Sequence, residues 1–197
     1  MVSILSRLRD ALFPGATTPV SVHEVRGFEV HVENSRPDIQ TATVLARLDE
    51  ALALIEAHQP WRLRHLERDL ERFWIVRFPC RGAFFPDTRS CMTELTFLAR
   101  TDISAAPVAA SILHEGMHAR IHAMGVRKED SMAREERICR RVELQFGESL
   151  PAGLREPVIA RATASLQMSD VDVAPDIDWA EAARRQNAVD RSASTGN

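Results

Sequence analysis

The sequence predicts an α+β fold in which helices pack on a small antiparallel sheet, and two patterns carry that expectation. Long stretches repeat their apolar residues at three and four, the helical period, whereas short stretches near 28–33, 73–78 and 91–97 alternate or are aromatic and β-branched, as strands are. Size supports it too: 197 residues with 45% hydrophobic content suffice for one sizeable core. The expected division is a single domain over 1–185 followed by a disordered tail over 186–197.

The elements follow in order. Ile4, Leu5, Leu8, Leu12 and Phe13 stand at helical spacing before Pro14-Gly15 stops the run, which predicts a short amphipathic helix over 3–13. Phe28-Glu29-Val30-His31-Val32-Glu33 alternates as a half-buried strand does, and Asn34-Ser35-Arg36-Pro37 supplies the turn after it. A long helix is expected over 38–58, and beyond Pro60 a second over 61–72, in which Leu63, Leu66 and Leu70 share a face.

Strands over 73–78 and 91–97 then flank a loop containing Gly82, Pro86 and Asp87. Asp102 or Ser104 offers an N-cap and Pro107 fits a first turn, so a helix is expected over 104–124, closed by Gly125. Further helices are expected over 131–145 and 154–168, a loop over 170–175, and helical spacing through Trp179 and Ala183. The small and polar residues of 191–197 cannot bury enough surface to stay ordered.

Charge narrows the function classes. Charged residues make up 27% of the chain but nearly cancel, to a net −3, so the basic excess typical of nucleic-acid or anionic-membrane binding is missing. The apolar run at the start is broken by charge too soon for a secretory segment, and no stretch of about 18 apolar residues predicts a membrane span. Three cysteines, Cys80, Cys91 and Cys139, without a Cys-x-x-Cys pair disfavour both a disulfide framework and a cysteine-rich zinc knuckle. The expectation is a soluble protein of the reducing cytoplasm; its oligomeric state is not legible.

The chemistry lies in His114-Glu115-Gly116-Met117-His118. Histidines four apart on a helix project from one face, one turn apart, and can turn ring nitrogens toward a single divalent ion. Glu115 sits about 100° round the helix, outside the claw yet within reach of a metal-bound water as general base. The spacing is a metalloprotease signature. Around it the helix is apolar or small on nearly every side, so three imidazoles and a carboxylate are expected to be buried, at a cost of several kcal/mol unless a partner compensates them.

The next helix repeats the anomaly, with Glu135, Glu136 and Glu143 on a face shared with Met132, Cys139, Val142 and Phe146. No histidine follows His122, and one ion cannot bridge His114, His118 and His122, which span about 12 Å of helix rise. The third ligand is therefore expected to be a carboxylate, Glu136 first, then Glu135, then Glu143. Met92 to Phe97, just before the motif helix, is expected to form an edge strand along the cleft, able to bind an extended peptide.

His114-Glu115-x-x-His118 followed by a carboxylate-bearing helix resembles the gluzincin zinc peptidases, of which thermolysin is the familiar member. His118-Ala119-Arg120-Ile121-His122 is similar to the extended motif of the minimal ImmA/IrrE-type metallopeptidases, as is the helix from Glu136 to Phe146 leading to Pro151. The resemblance covers residues 104–151. It implies a minimal zincin core, Zn²⁺ held by His114, His118 and Glu136, Glu115 activating water, and a peptide or protein substrate. Where thermolysin-like enzymes place an Asp four residues after the ligand Glu, this chain has Arg140, and it contains no tyrosine, so His122 or Arg140 is the expected oxyanion donor. These departures also allow a second class, a catalytically inactive, metal-stabilised regulatory or protein-binding domain.

Overall fold

The computed structural model describes residues 18–126, 132–175 and 178–195; the amphipathic run over 3–13 lies outside them. It opens on a hairpin, β1 (Val20–Val25) and β2 (Phe28–Glu33), closed by Arg26 and Gly27 at φ 50° and 80°. Both turn residues have positive φ, the geometry that matches the twist of paired strands. The alternation in β2 buries Phe28, Val30 and Val32 and leaves Glu29 outside.

Helices α1 (Thr41–His58) and α2 (Pro60–Asp69) carry the chain back to β3 (Arg72–Val76). Such a crossover returns it parallel, and β3 pairs with β2 in parallel register, Val30 against Phe73. The segment expected to be a loop contains another strand, β4 (Gly82–Phe85), which turns through Pro86–Thr88 into β5 (Ser90–Glu94). The sheet order is β1-β2-β3-β5-β4.

The fold is α+β with helices on a small sheet, as expected, but the sheet is mixed rather than antiparallel. Inserting β4 reverses the chain twice between β3 and β5, which therefore run parallel, Phe73 against Cys91. The strand expected over 91–97 stops at Glu94, whose carboxylate accepts the backbone N–H of Phe97 at 2.8 Å and caps a short helix, α3 (Leu95–Ala99). β5 is consequently internal, and the free edge on this side belongs to β4.

Helix α4 (Ala106–Ala123) carries the histidine motif, with Pro107 in its first turn and Gly125, at φ 63°, just beyond its end. It is buried nearly all round, against α1, α2 and the helix that follows. That burial needs Gly116: a Cβ there would lie 2.2 Å from Leu66 Cδ2, and Leu66 is only 2% exposed. Gly116→Ala is expected to lower stability by about 1–3 kcal/mol through overpacking, partly offset by about 1 kcal/mol of helix propensity. A downward shift of the urea midpoint at constant slope checks this.

Helices α5 (Met132–Ser149) and α6 (Ala152–Leu166) pack beside α4, and a short α7 (Asp170–Val173) occupies the expected loop. The last helix, α8 (Trp179–Thr195), runs past residue 185, where the tail was expected to begin. Long-range ion pairs anchor it, because the Asp190 carboxylate accepts from Arg77 Nε at 3.0 Å and Nη2 at 2.9 Å, and from Arg36 Nη1 at 3.0 Å. Phe73 and Ile75 face the main core, whereas Trp74 and Val76 face a smaller cluster to which Trp179 belongs. None of the helices among the described residues is long and apolar enough to cross a membrane.

Candidate metal centre

Four residues apart on α4, His114 and His118 point the same way, their Nε2 atoms 3.2 Å apart. The Nδ1 atoms are engaged from behind: His114 Nδ1 pairs with Glu143 Oε1 at 2.6 Å and His118 Nδ1 with Glu135 Oε1 at 2.7 Å. A neutral ring that donates its Nδ1 proton to a carboxylate presents a lone pair at Nε2. Facing the two Nε2 atoms is Glu136, with Oε2 at 3.2 Å from His114 Nε2 and Oε1 at 3.1 Å from His118 Nε2.

With both rings neutral, three electron-pair donors converge here, an arrangement that protons on the imidazoles or a bound metal ion satisfies. An ion held tetrahedrally at about 2.0–2.1 Å from each ligand separates those ligands by about 3.3 Å. The two Nε2 atoms stand 3.2 Å apart and each has a different oxygen of Glu136 at 3.2 or 3.1 Å, separations close to that spacing. Glu135 and Glu143, the other carboxylates expected as third ligand, each pair with the Nδ1 of one imidazole, the place an orienting carboxylate takes where a histidine binds a metal. Glu143 is 1% exposed and also accepts from Arg140 Nη1 at 2.6 Å.

The electrostatics agree with the geometry. Burial pushes both imidazoles down, but Glu136 and Glu143 outweigh it at His114, and Cys139, Glu135 and Glu136 outweigh it at His118, so both rings stand above their ordinary range. Against its own desolvation, Glu136 is held far below the usual carboxylate range by the two imidazoles. The cluster holds positive charge strongly.

A further donor stands close by. The Cys139 sulfur and the ligand atoms of His114 and His118 all lie within 4.8 Å of one another, a group that could hold a metal ion. Burial pushes the Cys139 thiol up to about 11, so without a metal it stays protonated at neutral pH. All three cysteines are free thiols.

Glu115 is 8% exposed and makes no hydrogen bond among the described residues; burial raises its carboxyl above the usual range. It lies against the edge strand, where a Cβ on Gly82 would come within 3.0 Å of Glu115 Oε1 and 3.1 Å of Ser111 Oγ. A cavity of about 730 Å³ opens over it, lined also by the two histidines, Glu136, β4 and Trp179. His122 is exposed at the mouth of this cavity, its ring 5.8 Å from that of Phe84.

Arg140, the other expected oxyanion donor, spends Nη1 on Glu143. The sequence reading assigned no part to Gly82 or to Arg161 of α6, which also lines the cavity. It left Glu143 among the possible ligands, although seven residues after Glu136 is two helical turns along the same face, where an orienting carboxylate can stand. No family model, no curated protein and no solved structure matches the chain.

Proposed function

We propose that the protein is a zinc-dependent peptidase, with His114, His118 and Glu136 as ligands and Glu115 as general base. One observation carries the reading: a hydrogen-bond-free, buried carboxylate lines the same open cavity as two imidazole nitrogens 3.2 Å apart, each within 3.2 Å of an oxygen of Glu136. Zinc bound there would polarise a substrate carbonyl and make water acidic enough to attack at neutral pH.

The chain's own groups do the rest. Glu115, whose burial makes it a stronger base than a surface carboxylate, takes a proton from the attacking water and passes it to the leaving amine. The free edge of β4 offers main-chain donors and acceptors to an extended peptide, so the bond to be cleaved lies beside Gly82 and Glu115. His122, at the cavity mouth, is the donor to the developing oxyanion.

Close packing at Gly82 makes the position of Glu115 testable. Gly82→Ala is expected to displace the carboxylate and cost about ten- to a hundredfold in turnover, since small misplacements of catalytic groups have effects of that order. Metal content should not change.

The experiment for the reading itself uses protein loaded with one equivalent of zinc and a pool of quenched fluorescent peptides. Hydrolysis that is lost on chelation and restored by zinc supports it. A zinc-loaded protein that cleaves nothing favours a second reading, a metal-stabilised regulatory or binding domain, for which the nearness of Cys139 speaks: sulfur as fourth ligand would close the coordination shell.

A further inference from the structure

Arg161 projects from α6 into the wall of the cavity that holds the metal centre. It is half-buried and, among the described residues, forms no hydrogen bond and no ion pair. Burial lowers its pKa, and it is felt by two acids, Glu143 and Glu115, and by two further arginines, Arg140 and Arg81.

Neither acid neutralises it. Glu143 is already shared between His114 Nδ1 and Arg140 Nη1, each at 2.6 Å, and Glu115 is the proposed base. Arg140 keeps its Nε buried without a partner, and Arg81 lies over the Phe97 ring at 5.2 Å rather than on a carboxylate. One wall of the cavity therefore presents guanidinium donors that the protein does not satisfy. A guanidinium withdrawn from water is costly until an anion meets it, and its planar fork matches a carboxylate bidentately.

We infer that Arg161, with Arg81 beside it, is a carboxylate-binding subsite, and that the preferred substrate is a short peptide presenting a carboxylate next to the cleaved bond. This rests on the peptidase reading. The carboxylate has two possible sources, the C-terminus of the peptide or an Asp or Glu side chain, and both offer the same two oxygens to the fork. Its closeness to the reacting bond follows from Arg161 and Glu115 lining the same cavity.

Isothermal titration of the zinc-loaded Glu115→Gln protein, in which bound peptide persists, tests the subsite without requiring turnover. Acetyl-trialanine as free acid is compared with its amide, and acetyl-Ala-Ala-Asp-amide with its Asn counterpart. At least one acid should bind roughly ten- to a hundredfold more tightly than its neutral partner, as expected for charged hydrogen bonds, and which pair shows it identifies the source. Adding Arg161→Gln should erase the difference, and Arg161→Lys should retain part of it, both at unchanged zinc content and melting temperature. Equal binding of acids and neutral partners overturns the inference, as does the absence of binding or discrimination that survives Arg161→Gln. If Arg161→Gln fails to fold, the acid-to-neutral ratios of the parent and of Arg161→Lys decide alone.

Failure here is separable from failure of the peptidase reading. Wild-type hydrolysis that ignores the carboxylate removes only the subsite. Arg161-dependent binding without any hydrolysis removes the peptidase and leaves a carboxylate receptor.

Discussion

Glu115→Gln is expected to reduce peptide hydrolysis by about 10²–10⁴-fold or more while zinc stays at one per chain. The two side chains have the same shape, so the contact with Gly82 is kept, and none of His114, His118 and Glu136 is touched. What disappears is the ability to take up a proton. The variant should also melt at a higher temperature, because it removes a carboxylate that is 8% exposed and has no hydrogen bond to offset its desolvation. Lost turnover with gained stability is hard to explain by damage to the fold. Turnover unchanged within a factor of two would remove Glu115 from the mechanism.

His114→Ala should have the largest effect on the fold. It deletes one ligand and also the partner of Glu143, a carboxylate only 1% exposed, which is then left with Arg140 alone. Breaking a buried pair by removing one member typically costs about 3–5 kcal/mol, and the stabilisation from bound metal is lost in addition. Glu136→Gln provides the contrast. Its side chain is 22% exposed and supports no residue behind it, so metal affinity should fall with a much smaller loss of stability. Metal content and denaturant midpoints, measured on the same samples, separate the two effects.

Local features of the site were readable in the sequence, and relations between distant segments were not. The phase of a helix places His114 and His118 on one face, and the small residues around them foretell burial. Which carboxylate faces the two Nε2 atoms depends on how α5 is rotated against α4, and nothing in the run from Glu135 to Glu143 encodes that rotation. The mixed sheet escaped for a similar reason. β4 has only four residues and begins at Gly82, so it reads as loop, and overlooking it turns the parallel β3–β5 pair into an apparent hairpin.

The hairpin at Arg26-Gly27 lacks the usual Asn-Gly or Asp-Gly signal. Composition likewise hid the order of α8, whose Asp190 is held by arginines 113 and 154 residues away in the chain. Arg161 belongs with these: a lone arginine on a helix says nothing until the fold sets it in a cavity wall.

The central claim is that His114, His118 and Glu136 hold a metal with a position left open beside Glu115. X-ray absorption at the zinc edge, on protein loaded with one equivalent, tests it most directly. The expected shell is nitrogen and oxygen only, at about 2.0–2.1 Å, two of its members imidazoles, and unchanged in Cys139→Ser. A sulfur at about 2.3 Å that vanishes in Cys139→Ser would close the open position and contradict catalysis. Failure to retain stoichiometric zinc would contradict the site itself.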